Sequence, residues 1–235
     1  MAYQWLLFDA DGTLFDYDRA EKHALQNTFA QLGYPFEAEY LAEYQRVNHA
    51  IWLQFERGDI DQVTLRAHRF ELLFKAIELR ADPQAFSPAY LANLAEQTGL
   101  IDGALEAVKL LANRFDLAII TNGLTEVQRP RFANSAIYKY LKQIIISDEV
   151  GVAKPDRRIF DIAFARMNQP PKEVVLIIGD SLTSDIQGGL NYGIDTCWFN
   201  PAGKRNEHQI AATFEIRRLD ELLKLLEKME ENHPE

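Results

Sequence analysis

A chain of 235 residues, 47% hydrophobic and 26% charged, has room for one sizeable core or two modest domains and the composition of an ordinary soluble globular protein. Its formal charge of −10 argues against a nucleic-acid or anionic-membrane surface, because polyanions repel an acidic protein at long range. It does not exclude a small phosphorylated substrate, which needs only local positive charge.

One cysteine, Cys197, leaves no internal disulfide and no cysteine metal cluster, and within Thr196-Cys197-Trp198-Phe199 it reads as a small buried residue. No basic-then-apolar leader and no long apolar span occurs, so neither secretion nor membrane insertion is expected and the default location is cytoplasmic.

The first element is the apolar run Trp5 to Phe8, read as a short buried strand, followed at once by Asp9-Ala10-Asp11-Gly12-Thr13. In open α/β sheets ligands bind at the carboxyl ends of the strands, which is where this run delivers two carboxylates and a glycine turn. In a strictly extended strand Asp9 and Asp11 share one face. Such a pair suits a metal ligand and nucleophile beside a proton-transfer group, although Asp and Gly are also ordinary turn residues.

From about residue 16 to residue 100 the pattern is helical. Tyr40, Leu41, Tyr44, Val47, Ile51, Trp52 and Phe55 recur at helical spacing, with Gly58 as the stop. Ala67, Phe70, Phe74 and Ile77 form a second stripe, and Ser87-Pro88 reads as an N-cap and first helical position opening a helix towards Gly99. These aromatic stripes are core packing rather than a cofactor box. Helices inserted after the first strand make a natural cap domain, with Thr13–Tyr17 and Thr98–Gly103 as its hinges.

Further strands are expected at Leu117 to Ile120, Ile144 to Ile146, Val174 to Ile178 and Thr196 to Phe199, mostly separated by helical stretches. Leu219, Leu222, Leu223 and Leu226 mark a final helix, and the charged stretch Glu227 to Glu235 is expected to fray. The fold class is therefore α/β: a Rossmann-like, doubly wound parallel sheet over residues 1–15 and 101–235, with an inserted α-helical cap domain over 16–100.

The residues after each strand make a coherent set. The second strand delivers Thr121-Asn122-Gly123, the third leads to Lys154-Pro155 with proline in a helical first turn, and the fourth delivers Gly179-Asp180 and, beyond it, Asp185. One sheet edge then carries four carboxylates, a lysine, a hydroxyl and backbone donors. Clustered carboxylates repel without a cation, and a hard, oxygen-liganded ion such as Mg²⁺ resolves this while holding substrate phosphate. Thr121 and Lys154 are suited to phosphate oxygens, and an Asp nucleophile can split phosphoryl transfer in two through an aspartyl-phosphate. Each motif alone has a plainer reading as a turn, a surface lysine or a capping acid; the ordered set does not.

With Asp9-x-Asp11-Gly-Thr, Thr121-Asn122-Gly123, Lys154-Pro155 and Gly179-Asp180-x-x-x-x-Asp185, the chain resembles the haloacid dehalogenase-like hydrolase superfamily over nearly its whole length. The resemblance implies that Asp9 is the nucleophile and a Mg²⁺ ligand. It implies that Asp11 is the acid and base, also ligating Mg²⁺ through its carbonyl. Thr121, with the backbone of Asn122 and Gly123, would bind phosphoryl oxygens. Lys154 would offset charge on Asp9 and the phosphate, Asp180 would ligate Mg²⁺, and Asp185 would do so directly or through water.

The segments Asn48-His49-Ala50-Ile51-Trp52, Val150 to Pro155 and Asp195 to Pro201 resemble, more narrowly, bacterial 5′-nucleotidases that favour pyrimidine and non-standard nucleoside monophosphates. The partner so implied is a small-molecule phosphate ester, a nucleoside monophosphate, with oligomeric state left open. Alternatives are a sugar-phosphate phosphatase or phosphomutase of the same fold, and a catalytically silent binding or regulatory protein. A dehalogenase has no use for Asp11, because a leaving halide needs no proton.

Substrate choice falls to the helical insertion, where Arg46, Asn48, Trp52, Arg57, Arg66, His68 and Arg69 stand out, with Asn48 and Trp52 four apart on one face. The plainer reading is that such arginines are solvated or paired with acids such as Glu56, Asp59, Asp61 and Glu71.

Overall fold

The computed structural model describes residues 3 to 231. They divide into two compact units, Met1–Asp16 with Gly99–Thr125 and Phe132–Glu235, and Tyr17–Thr98 with Glu126–Arg131.

The first unit is built on six strands: β1 (Trp5–Phe8), β2 (Asp116–Thr121), β3 (Leu141–Ile146), β4 (Val175–Gly179), β5 (Asp195–Phe199) and β6 (Phe214–Ile216). They pair in parallel in the order β3-β2-β1-β4-β5-β6. The inner strands are buried on both faces, so their sequences read as unbroken apolar runs rather than alternations. Leu6 and Phe8 point into one apolar layer with Leu117, Ile119, Leu176 and Ile178, whereas Leu7 points into the other with Ala118, Ile120 and Ile177. Because chain order reverses direction at β1, its junction with β4 is the switch point where this topology opens a crevice.

Each expected strand is present: β1 coincides with its expected run, and the ends of the others differ by at most three residues, β3 beginning at Leu141 rather than Ile144. The edge strand β6 has no counterpart in the sequence reading, because three residues offer too short an alternation. The last helix of the unit continues to Glu231. Glu227 to Glu231, where fraying is expected, lie within this helix, while 232 to 235 lie outside the described residues. The chain segments that lead out of and back into this unit pair with each other: Asp16 N–H donates to Gly99 O at 3.0 Å and Ile101 N–H to Leu14 O at 2.9 Å.

The second unit is helical: α1 (Tyr17–Gln31), α2 (Ala38–Arg57), α3 (Gln62–Ala76) and α4 (Pro83–Ala95). Gly58 ends α2 in the left-handed region at φ 78°, its N–H closing on Gln54 O and Phe55 O, as its place in the sequence suggests. The expectation at Ser87-Pro88 is corrected. The helix starts one turn earlier, with Asp82 capping Gln84 N–H and Pro83 opening the first turn. Ser87 instead lies inside the helix and donates its hydroxyl to Arg66 O at 2.7 Å.

The core of this unit is aromatic: Tyr44 stacks on Phe70, and Phe86 meets both Phe70 and Phe29 edge-on or tilted. Among the described residues no helix is long and apolar enough to cross a membrane.

Candidate active site

The backbone after β1 does not stay extended. Asp9 N–H still bonds Ile178 O across the sheet at 2.9 Å, but Leu14 and Phe15 N–H both return to Ala10 O. Asp11 therefore sits in a tight turn, and the shared-face argument for Asp9 and Asp11, which assumed an extended strand, is corrected. Gly12 turns at φ +82°, and a Cβ there would lie 2.7 Å from Asp180 Oδ2. Only glycine lets the backbone of the first loop come so close to a carboxylate delivered by β4.

After β4 the chain makes a single wide π-helical turn, Leu182–Ile186. Ser181 caps it by accepting Ser184 N–H, and its own N–H donates to Asp185 Oδ2 at 3.0 Å. Asp185 thus folds back over Gly179, where a Cβ would meet its carboxyl carbon at 2.3 Å. Ligand atoms of Asp9, Asp180 and Asp185 all lie within 4.8 Å of one another. The Asp11 carboxylate is not in this group.

Lys154 reaches the cluster from the loop after β3. Its ammonium, 1% exposed, donates to Asp9 Oδ1, Asp185 Oδ1 and Ile120 O, each at 2.6 Å. Three donors and three acceptors leave this ammonium fully bonded. Asn122 fixes the lysine's backbone from both sides, donating to Lys154 O at 2.9 Å and accepting Lys154 N–H at 2.8 Å. Pro155 does not stand in a helical first turn as expected. The next long helix, Arg157–Arg166, is capped by Asp156, and Pro155 precedes that cap.

The electrostatics follow from three carboxylates and one ammonium. Burial pushes Asp9 well above the ordinary carboxylate range; Lys154 opposes this, and Asp185 and Asp180 reinforce it. Asp180, at the half-buried rim, rises to about 7 through loss of water and then the neighbouring charge of Asp185. Burial alone would lower Lys154, but Asp185 and Asp9 outweigh it and keep it charged. A buried set with this excess negative charge retains a proton or takes up a cation. An all-oxygen donor set fits a hard cation such as Mg²⁺.

Thr121, buried at the end of β2, accepts Gly123 N–H on its hydroxyl at 3.1 Å, which leaves the hydroxyl hydrogen to donate. Cys197 is buried in the sheet with its thiol pushed up to about 12, as suits a packing residue.

In the helical unit the polar residues divide. Arg46 pairs with Glu43, Arg66 with Glu126 and His68 with Glu71, all at least partly exposed, in line with the plainer reading of such charges. Arg69 and Asn48 depart from it. Asn48 is buried, donating to Glu21 Oε1 and Tyr17 OH and accepting from Arg69 Nη1. Arg69 is 1% exposed and lies over the rings of Phe70 and Tyr90. Asn48 and Trp52 thus differ in environment: Trp52 is half-buried against Phe55, and the Asn48 amide is engaged inside its own unit. Glu21 had no signal in the sequence, being one acid on an otherwise ordinary amphipathic helix.

Residues 3–193 match the haloacid dehalogenase-like hydrolase family. The chain is 39% identical to the YfnB protein of Bacillus subtilis, over 95% of each protein. It is 36% identical to the pyrimidine 5′-nucleotidase YjjG of Escherichia coli, covering 96% of this chain and 99% of that one. With the pyrimidine 5′-nucleotidase PynA of Streptococcus pneumoniae it shares 37% identity over 97% of each. The magnesium-bound crystal structure of YfnB superposes with a TM-score of 0.91 at 38% identity, over 96% of this chain and 99% of that one.

Proposed function

This chain belongs to the haloacid dehalogenase-like hydrolases, and from that premise we propose that it is a Mg²⁺-dependent phosphomonoesterase acting on nucleoside 5′-monophosphates, pyrimidine ones in particular. The observation that carries the reading is the packing of Asp9, Asp180 and Asp185 within 4.8 Å around a single buried lysine at the switch point of the sheet. The relatives named as pyrimidine 5′-nucleotidases, matched over nearly their whole length, support the substrate class.

Asp9, Asp180 and Asp185, with the carbonyl of Asp11, would hold Mg²⁺. When bound, the ion neutralises charge on the carboxylates and on the substrate phosphate. Lys154 takes only Oδ1 of Asp9, and Oδ2 accepts no hydrogen bond from any described residue. That oxygen attacks phosphorus while the bond from phosphorus to the ester oxygen breaks, and Asp11 gives its proton to the departing alcohol. Water then attacks the aspartyl-phosphate, Asp11 takes the water's proton, and the bond between phosphorus and Asp9 breaks to release inorganic phosphate.

Thr121 donates its hydroxyl hydrogen to a phosphoryl oxygen, helped by the N–H groups of the Asn122-Gly123 loop. Asn122 acts through Lys154, whose backbone it clamps. In the helical unit Trp52 is half-buried against Phe55, and Asn48 ties α2 to Glu21 of α1 and Arg69 of α3.

The test is phosphate release from a panel of nucleoside monophosphates and sugar phosphates, with Mg²⁺ and with EDTA. EDTA-sensitive release selective for pyrimidine monophosphates is the expected result. Turnover of sugar phosphates alone would discard the nucleotide class and leave the chemistry standing. Mg²⁺ uptake with no turnover of any ester would discard the enzyme.

A further inference from the structure

The two carboxylates supplied by the loop after β4 share one peptide group. The C=O of that group belongs to Asp180 and its N–H to Ser181. The N–H donates to Asp185 Oδ2 at 3.0 Å. The C=O accepts the indole N–H of Trp198 at 3.0 Å. A peptide group is planar, so a plane gripped at both ends fixes the backbone torsions on either side of it. Those torsions aim the Asp180 side chain on one side and carry the ring closed by Asp185 on the other.

Trp198 is placed to do this by the sheet. It lies on β5 directly opposite Gly179, the last residue of β4 and the one before Asp180. The ring is buried against Leu182 and Ile186, the first and last residues of the π-helical turn that holds Asp185, and Ile210 and Ala212 pack against this cluster. Its Nε1–H has one donor hydrogen and spends it on the Asp180 carbonyl. Accepting this bond also polarises the peptide and strengthens the Ser181 N–H as a donor to Asp185.

We infer that Trp198 is a positioning residue for the metal site, setting the geometry of Asp180 and Asp185 for Mg²⁺ through the Asp180–Ser181 peptide. It touches neither ion nor substrate. The inference rests on the proposed Mg²⁺ site. Outer partners that orient metal ligands typically contribute about 10- to 100-fold in affinity.

The experiment is calorimetric titration of the full-length protein with Mg²⁺ alone, comparing wild type, Trp198→Phe and Ile210→Ala, followed by turnover at a range of Mg²⁺ concentrations. Trp198→Phe keeps an aromatic ring and removes the N–H; Ile210→Ala loosens the packing and keeps the bond. Expected are about tenfold weaker Mg²⁺ binding for Trp198→Phe, turnover restored at saturating Mg²⁺, and unchanged binding for Ile210→Ala despite a lower melting temperature. Equal Mg²⁺ affinity in wild type and Trp198→Phe overturns the inference while the Mg²⁺ site stands, as does equal weakening by Ile210→Ala. Absence of Mg²⁺ uptake by the wild type overturns both. If Trp198→Phe fails to fold, benzothienylalanine at position 198 replaces the indole N–H by sulfur within nearly the same shape, and the same comparison applies.

Discussion

The ammonium of Lys154 stands 2.6 Å from Oδ1 of Asp185, and each side chain is 1% exposed. A pair so thoroughly withdrawn from water is a poor source of net stability, but removing one partner leaves the other charge stranded. Lys154→Met should therefore destabilise the protein by about 3–5 kcal/mol in EDTA. Mg²⁺ should recover part of the loss, because the cation replaces the missing positive charge. Thermal unfolding with and without Mg²⁺ measures this; a loss no larger in EDTA than in Mg²⁺ would show that the carboxylates do not depend on positive charge.

Asp9, Asp11 and Asp180 should separate when each is changed to Asn. Asp9→Asn should abolish phosphate release, since an amide does not form the acyl phosphate, yet melt higher than wild type in EDTA because one crowded carboxylate is gone. Asp180→Asn should lose Mg²⁺ affinity. Asp11→Asn should bind Mg²⁺ nearly as wild type, its carboxylate being outside the cluster, and still fail in turnover. Parallel Mg²⁺ titrations and phosphate assays resolve the three patterns. Loss of Mg²⁺ binding in Asp11→Asn would contradict the division of labour.

Among the described residues Asn122 is the side chain that clamps the Lys154 backbone. Removing its two bonds by Asn122→Ala should lower stability by about 1–2 kcal/mol, the usual worth of bonds between a side chain and partly buried backbone. Turnover should fall more than that loss suggests, because a lysine displaced by a fraction of an ångström no longer meets Asp9 and Asp185 together. Urea denaturation and kcat taken on the same preparation decide it. Unchanged kcat would reduce Asn122 to a loop residue.

Much of this site can be read along the chain because each of its residues follows a strand, and strands buried on both faces announce themselves as apolar runs. Asp9, Thr121 and Asp180 are one residue beyond or at the last residue of such runs. What the sequence hides is what depends on folding back. The π-helical turn that returns Asp185 over Gly179 has no periodicity of its own. The bond from Trp198 to Asp180 joins neighbouring strands whose order is a property of the sheet. In the helical unit, Arg69 occupies a buried position in an aromatic stripe where spacing alone suggests a solvated charge. Ser87-Pro88 misled for a different reason: Asp82-Pro83 carries the same start signal one turn earlier and closes the capping bond.

Glu21 gives the helical unit a pH dependence of its own. Its carboxyl lies inside the unit, bonded by Gln45 and Asn48 of α2, with Asp18 on α1 raising its affinity for a proton and Arg69 on α3 lowering it. Tyr17, bonded by Asn48, and Tyr44 and Tyr90, both buried and themselves raised by burial, add to the polar surroundings. Burial is the largest influence and lifts Glu21 from an ordinary 4.5 to about 7. The folded chain therefore holds this proton more tightly than the unfolded chain. The extra stability is fully present below pH 4.5, is lost as pH rises towards 7, and is gone above it. The shift corresponds to about 3 kcal/mol. Glu21→Gln keeps a neutral, hydrogen-bonding side chain at every pH. It should flatten the stability profile between pH 5 and pH 8 and melt higher than wild type at the upper end, with little difference at the lower. Denaturant titrations of both proteins across that range isolate the contribution, since every other titrating group is common to the two. Parallel profiles would mean that Glu21 stays ionised beside Arg69, and the network would then be an ion pair bridged by Asn48 rather than a buried acid.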